Sequence, residues 1–371
     1  MSKKEFLKAA WYVAAWSNEV GRERLLERTV IERSLVLYRQ EDGTPVAIGN
    51  ACAHRCAPLS MGRLVGDAVQ CPYHGLQFGP SGQCVHNPHG DGKIPAKMMV
   101  PSYPTVERHK AIWVWMGHPA EADASAIPDF SCHEDTELAF VGGMLEVHAN
   151  YQLIVDNLMD LSHAATVHEG LLSMPGLYTS KMETVQRGTT VYANRWMPDG
   201  EIQPAHAMLW ADHVAGETVD QWAYMRWDAP AHLLLDVGVT KVNAPRSRGL
   251  WVYGTDILTP KDEQTTYYFW GVTRSYELED PTADAQWHKI IEMAFDGQDK
   301  PMIEGQQRML GDRDIEDLDT VMFHADAGAM RARRVLSALI KDQSKPQPQN
   351  PPMRQHRHEV QASTAPVLPA M

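Results

Sequence analysis

Apolar and polar positions alternate in short runs over the first third of the chain. Leu35-Val36-Leu37-Tyr38 and Val46-Ala47-Ile48 flank Asp42-Gly43, a pattern that predicts a hairpin. Gly79-Pro80-Ser81-Gly82 marks a further turn, and Ala111-Ile112-Trp113-Val114-Trp115 predicts the strand that closes this β-rich region. Residues 119–128, rich in Ala and Asp, read as a connector. The period then changes. Over residues 151–168, Ile154, Leu158, Leu161 and Ala165 recur at helical spacing and predict one apolar stripe. Asn157, Asp160 and His163 lie three apart on a neighbouring face. His168 follows His163 by five residues, about 140° further round an ideal helix. The two imidazoles therefore converge only where the helix loosens or ends, which Gly170 and Pro175 permit. Between residues 189 and 276, runs around Trp222, Leu234, Val252 and Phe269 predict antiparallel strands. Asp280-Pro281-Thr282 opens a helix through Trp287, Ile291, Ala294 and Phe295, disturbed by Gly297 and Pro301. Residues 330–340 form a last amphipathic helix, and the Gln-, Pro- and Ser-rich stretch 344–371 reads as a disordered tail.

Two boxes interrupt the first region. Cys52-Ala53-His54 is followed after sixteen residues by Cys71-Pro72-Tyr73-His74. A zinc site usually draws both cysteines from one knuckle and both histidines from another. Here each box is mixed, so each metal would take one ligand from each loop. That suits two irons bridged by sulfide, with Cys52 and Cys71 on one and His54 and His74 on the other, a [2Fe–2S] centre of the Rieske kind. Downstream, His163 and His168 could join one carboxylate on a single face of Fe(II), leaving positions open for O₂ and substrate. Glu292, Asp296, Asp299 and Glu304 are the candidate acids, and spacing alone does not choose among them.

Composition narrows the possibilities. A chain of 371 residues, 44% hydrophobic, suits about two domains. A formal net charge of −13 argues against a nucleic-acid partner. The five cysteines form no disulfide framework, so a reducing cytoplasm is expected. The short apolar run near the start lacks a convincing cleavage site, and no run approaches the ~18 apolar residues of a membrane helix. No G-x-G-x-x-G follows a strand, so electrons from NAD(P)H must come through a separate reductase or ferredoxin.

The two boxes, as Cys52-Ala53-His54-Arg55-Cys56-Ala57-Pro58-Leu59 and Cys71-Pro72-Tyr73-His74-Gly75-Leu76, resemble the loops of Rieske oxygenases, apart from Cys56, where glycine is expected. Val155-Asp156-Asn157-Leu158-Met159-Asp160-Leu161 and Leu258-Thr259-Pro260 are most similar to the vanillate O-demethylase and dicamba monooxygenase type. The resemblance spans residues 11–339 and implies an α+β fold. In it an antiparallel β Rieske domain (1–128) precedes a helix-grip catalytic domain (129–343). It implies a mononuclear Fe(II) held by His163, His168 and, as the best match, Asp299 ahead of Glu304-Gly305-Gln306-Gln307-Arg308. It makes Asn157 and Asp160 the candidate catalytic residues. Asp160 would accept from His163 through its carboxylate and bridge to His74 of an adjacent subunit in a homotrimer. The implied reaction is oxidative O-demethylation of a methoxylated aromatic acid, with O₂ consumed and formaldehyde released. Ring dihydroxylation or N-demethylation on the same scaffold is the alternative, and a pure electron carrier without mononuclear iron is the second. Arg195, Arg226, Lys241 and Arg274 could each pair with a substrate carboxylate, although a solvated charge or fold contact is the better reading of each. Trp210, Trp227 and Trp270 read as core rather than pocket.

Overall fold

The structure is a computed structural model that describes residues 5–174 and 176–343. The expected tail at 344–371 and Pro175 lie outside the described residues. The strands β1 (Trp11–Trp16), β2 (Leu26–Val30), β3 (Arg33–Arg39), β4 (Pro45–Gly49), β5 (Arg63–Val65), β6 (Ala68–Gln70), β7 (Gln77–Phe78), β8 (Cys84–His86), β9 (Ser102–Tyr103), β10 (Thr105–Arg108) and β11 (Ala111–Trp115) make three small sheets. Their orders are β1-β11-β10, β2-β3-β4-β9 and β5-β6-β7-β8. The predicted hairpin is β3-β4, turning at Gly43 with φ +88°.

The second half is built on β12 (Ala139–Val147), β13 (Lys181–Arg187), β14 (Thr190–Gly200), β15 (Val219–Asp228), β16 (His232–Lys241), β17 (Leu250–Pro260) and β18 (Thr266–Arg274). They form one antiparallel seven-stranded sheet, ordered β12-β18-β17-β16-β15-β14-β13. The pattern over 189–276 anticipated four of these strands directly. It missed β12, whose Gly142-Gly143 offers no side-chain alternation. The glycine has a reason: a Cβ on Gly143 would come within 2.6 Å of the Trp270 ring on β18.

Among the described residues six α-helices complete the fold: α1 (Tyr151–Met159), α2 (Ala164–Val167), α3 (Pro204–Leu209), α4 (Pro281–Ile291), α5 (Lys300–Leu310) and α6 (Ala327–Gln343). One sheet face takes Ile154 and Leu158 of α1, Ile290 of α4 and Leu336 of α6. Each fully buried apolar side chain of this size contributes about 1.5–3 kcal/mol. The opposite face meets the β1-β11-β10 sheet, where Val13 and Trp113 pack on Ile257 and Phe269. Thr259 Oγ1 donates to the Val13 carbonyl at 2.7 Å, and His232 Nε2 lies 3.0 Å from the Trp11 carbonyl, so this seam is hydrogen-bonded as well as apolar.

One buried ionic clamp holds α1 in place. Arg333 of α6, 4% exposed, donates to both oxygens of Asp156, with the shortest contact 2.6 Å. It also donates to Gln152 Oε1 at 3.0 Å and Asp314 Oδ1 at 3.1 Å. Burial pushes the Asp156 carboxyl up, against the opposing pull of Arg333. Removing one partner of such a pair leaves a buried, uncompensated charge. Arg333→Met is therefore expected to lower unfolding free energy by about 3–5 kcal/mol, and adding Asp156→Leu to recover most of it. Urea unfolding of the two variants checks this.

Candidate active site

The two Cys/His loops close in the same way. In the first, the Cys56 N–H donates to the Cys52 carbonyl (2.9 Å) and the Cys52 N–H to the Ala57 carbonyl (3.0 Å). In the second, the Gly75 N–H donates to the Cys71 carbonyl (3.1 Å) and the Cys71 N–H to the Leu76 carbonyl (2.7 Å). This closure requires left-handed backbone at the fifth position of each loop. Cys56 has φ +54° and Gly75 φ +75°. Glycine adopts that region freely and a cysteine does not, which gives a physical reason for the glycine that the family pattern places at 56. The Cys52 and Cys71 side chains point into the core and are each 2% exposed. Burial pushes the Cys52 thiol up to about 11, and the adjacent Cys71 thiol adds to the rise while the His54 N–H opposes it. The His54 and His74 rings lie toward the surface with centroids 4.7 Å apart. Two paired thiols inside and two paired imidazoles outside make a donor set that fits a cluster ligated S₂ at one end and N₂ at the other.

The second constellation forms where a helix stops. The single helix expected over 151–168 is broken: α1 ends at Met159, Asp160 takes φ −111° and ψ 88°, and Leu161–His163 form a 3₁₀ turn before α2. The cause is Asp160 itself. Its Oδ1 accepts from the Ser162 N–H at 2.9 Å, capping the new turn, and its Oδ2 accepts from the Ser162 hydroxyl at 2.9 Å. Arg195 Nη2 stands 3.7 Å from Oδ1. With the carboxylate so engaged, the expected carboxylate–His163 bond does not form. The His163 Nδ1–H donates instead to the Asp160 carbonyl at 2.6 Å. Four-residue α2 then separates His163 from His168, and the rings come within 5.2 Å.

The third group arrives from the far side. The helix expected to falter near Gly297 widens into a π segment, Glu292–Asp299. It turns Gln298 and Asp299 toward the two histidines, and such widened turns recur at functional sites. Asp299, 4% exposed, places Oδ1 3.5 Å from His163 Nε2 and Oδ2 3.2 Å from His168 Nε2. Asn157 Nδ2 donates to Oδ1 at 3.2 Å. Gln298 Oε1 accepts from His168 Nδ1 at 2.9 Å. Both Nδ1 hydrogens are committed elsewhere, so both Nε2 lone pairs face the carboxylate. Burial acts to lower the His168 imidazole, but Asp299 and Gln298 outweigh it and hold it raised. The pocket favours positive charge at that point. Ligand atoms of His163, His168 and Asp299 all lie within 4.8 Å of one another, a donor set that fits a two-histidine, one-carboxylate iron. Asp296 points away and pairs with Lys300 at 2.9 Å.

A cavity of about 120 Å³ opens beside these groups. An apolar cavity of about 150 Å³ holds benzene, so the scale suits an aromatic ring. Leu158, Leu172, Met225, Leu235 and Ile290 line it, with Gln203, His206 and Asp256 as its other polar residues. Burial pushes Asp256 up to about 7, with the Tyr268 hydroxyl acting against the rise, and pushes His206 down to about 4, which keeps the imidazole neutral. Gln298, His206 and Asp256 were missed from sequence. Asp256 carried a signal, an acid where strand alternation calls for an apolar residue; His206 and Gln298 carried none beyond nearness to Asp299. Arg195, Arg226, Lys241 and Arg274 do not line the cavity, nor do Trp210, Trp227 and Trp270.

Residues 10–104 match the family profile described as the Rieske [2Fe-2S] domain, and residues 147–342 that of the vanillate O-demethylase oxygenase C-terminal domain. This chain belongs to the Rieske non-haem iron oxygenases. Among its relatives is a chloroacetanilide N-alkylformylase oxygenase component of Rhizorhabdus wittichii, 38% identical, covering 92% of this chain and 97% of the relative. A dicamba O-demethylase oxygenase component of Stenotrophomonas maltophilia is 39% identical, covering 90% and 98%. Dicamba monooxygenase bound to 3,6-dichlorosalicylic acid superimposes with a TM-score of 0.87 at 37% identity, covering 92% of this chain and all of that one. The same enzyme has been solved with non-haem iron and dicamba. This Rieske oxygenase is therefore the oxygenase component of a multicomponent system, with a [2Fe–2S] cluster and a mononuclear iron as its cofactors. No helix among the described residues is long and apolar enough to cross a membrane.

The strained loop position gives a direct test. Cys56→Gly relieves left-handed strain of about 1–2 kcal/mol and adds backbone entropy worth about 0.5–1 kcal/mol. A net gain of about 0.5–1 kcal/mol is expected, read as a higher melting temperature with the cluster's visible spectrum unchanged.

Proposed function

We propose that this oxygenase removes the methyl group from a methoxylated aromatic and releases formaldehyde. The observation that carries the reading is the convergence of His163, His168 and Asp299 on the wall of a ring-sized apolar cavity. The names of its relatives supply the reaction class, dicamba O-demethylase among them. In this reading His163, His168 and Asp299 hold the iron. Cys52, His54, Cys71 and His74 hold the cluster. The metals, when bound, would relay electrons from the reductase and supply the oxygen chemistry that inserts one atom of O₂ into a methoxy C–H, giving an unstable hemiacetal and water.

The remaining work belongs to the protein. Asn157 donates to Asp299 and fixes its carboxylate plane. The Asp160 carbonyl and Gln298 fix which ring nitrogen each histidine presents. The apolar wall holds the ring and keeps water from the reacting methyl group. Asp160 has a second proposed task, a hydrogen bond from its carboxylate to His74 of a neighbouring subunit in a homotrimer. Ser162 and Arg195 hold that carboxylate in one orientation. All five cysteines are free, which supports a reducing compartment such as the cytoplasm. A second reading is oxidative N-dealkylation, favoured by the N-alkylformylase relative.

Purified oxygenase, a reductase, NADH and O₂ are to be supplied with methoxylated aromatics, scoring formaldehyde against O₂ consumed. Formaldehyde with the matching phenol supports the reading; hydroxylated rings without formaldehyde, or an amine product, would overturn it. Asp299→Ala is expected to keep the Rieske spectrum but fall from about three irons per chain to about two. Asp296→Ala should retain about three; loss of iron from that variant instead would refute the assignment. Asp160→Asn is expected to bind both metals and trimerise, yet to oxidise its pre-reduced cluster slowly in a single turnover. Oxidation at the wild-type rate would rule out the bridge.

A further inference from the structure

The cavity holds a carboxyl that the iron site does not use. Strand β17 alternates, so Val252, Gly254 and Asp256 share its inward face and all line the cavity. Asp256 is 3% exposed. The Tyr268 hydroxyl, one strand away, donates to its Oδ1 at 2.7 Å. Among the described residues no donor reaches its Oδ2. A carboxylate can accept about four hydrogen bonds, and one left short in an apolar wall costs free energy until a ligand supplies the missing donor. A second group is also incomplete: His206 of α3, 4% exposed, has no partner for Nδ1.

Among the described residues no lysine or arginine lines the cavity. The nearby cations are committed elsewhere. Arg195 donates to the Leu177 carbonyl at 3.0 Å and faces Asp160. Arg226 pairs with Asp228 at 2.8 Å, and Arg274 with Asp284 at 2.6 Å. A carboxylate-bearing ring, the class that the sequence resemblance implies, would meet the Asp256 carboxyl in a dry space; an iron held by Asp299 would answer that residue's charge, but no protein cation among the described lining residues faces Asp256. Like charges in such a medium repel far more strongly than in water.

We propose that Asp256 selects the substrate, accepting a hydrogen bond from the O–H or N–H of an uncharged aromatic methyl ether while the cavity rejects aromatic carboxylates. Asp256 is then a specificity-determining residue on the wall opposite the sheet-covering helices. His206, neutral, is the second polar contact. The inference rests on the O-demethylase reading and narrows it.

The test is calorimetric binding to the iron-loaded enzyme. The probes are 3-methoxyphenol, N-(3-methoxyphenyl)acetamide, methoxybenzene and 3-methoxybenzoate. The better of the two donor-bearing probes is expected to bind about tenfold tighter than methoxybenzene and about 100-fold tighter than the benzoate. Which of the two leads identifies the O–H or N–H source. In Asp256→Asn, which keeps the size but not the charge, the donor-bearing probe should lose about tenfold and the benzoate gain about tenfold. Iron content and the cluster spectrum confirm that the variant is intact, and the wild-type panel stands without it. Benzoate binding as tightly as the donor-bearing probes, or a panel order unchanged in an intact Asp256→Asn, would overturn the inference. Formaldehyde is scored in parallel. The expected binding order without formaldehyde would overturn O-demethylation alone; equal turnover of benzoate and phenol would overturn the present inference alone.

Discussion

A buried carboxylate governs the catalytic half of this protein. Asp299 is almost fully removed from water, and its protein donors amount to Asn157 and whatever the two Nε2 atoms can offer. Both histidines have committed their Nδ1 hydrogens, to the Asp160 carbonyl and to Gln298. The Nε2 atoms therefore present lone pairs to an anion, which is unfavourable unless a cation stands between them. Taking an ion out of water costs several kcal/mol even after relaxation. That cost becomes tolerable with a metal among the three groups, as proposed, and the same logic would fix the tautomer of both imidazoles. The clamp between Arg333 and Asp156 belongs to this arrangement, because it pins the helix that ends in Asn157 and Asp160.

Much of this was legible in the sequence. The Rieske domain was legible through its Cys/His boxes because metal-ligand chemistry demands particular residue types at particular places. β15 read correctly because period two survives over its second half, and β18 because its continuous buried run is rich in aromatic and β-branched residues. The losses are equally physical. β12 hides because a side chain on Gly142 would meet the Phe140 ring and the Trp270 carbonyl, and one on Gly143 the Trp270 ring across the ladder, tertiary demands invisible along the chain. The break after Met159 hides because Asp160 can sit in a helix or cap one, and only the Ser162 hydroxyl beside it decides. Spacing left Asp296 and Asp299 open. The π segment separates them, turning one to a surface lysine and the other into the site.

The cavity adds a second constraint to the first. A metal centre that carries its own carboxylate already has one anion facing an apolar space. A further acid on β17 would be hard to retain there if the cavity were merely hydrophobic, since alternation would favour Val, Ile or Leu at that position. Tyr268 shows that the fold accommodates Asp256 rather than suffering it, since a buried hydroxyl is aimed at one oxygen only. The other oxygen is the one carboxyl acceptor, outside the cluster of His163, His168 and Asp299, among the described residues that line the cavity. Shape therefore admits many rings, and polarity discriminates among them.

Both metal sites arise where regular structure gives way, and the interruptions differ because the ligands differ. Two thiolates and two imidazoles must come from paired loops of equal reach. The closing turn is repeated, down to the left-handed residue at Cys56 and Gly75. The mononuclear site needs three donors on one face, from segments far apart in sequence. No uninterrupted α-helix can aim residues five apart at one point. A 3₁₀ turn and a short helix solve that for His163 and His168, and a widened turn solves it for Asp299. The seven-stranded sheet supplies the rigid floor against which these irregular segments are held. Asp160 stands at the first interruption and engages through three groups: its amide closes α1 on the Asp156 carbonyl, its carbonyl orients His163, and its carboxylate is held by Ser162 and Arg195. A carboxylate held in this way keeps one orientation, as the bridge proposed for Asp160 requires.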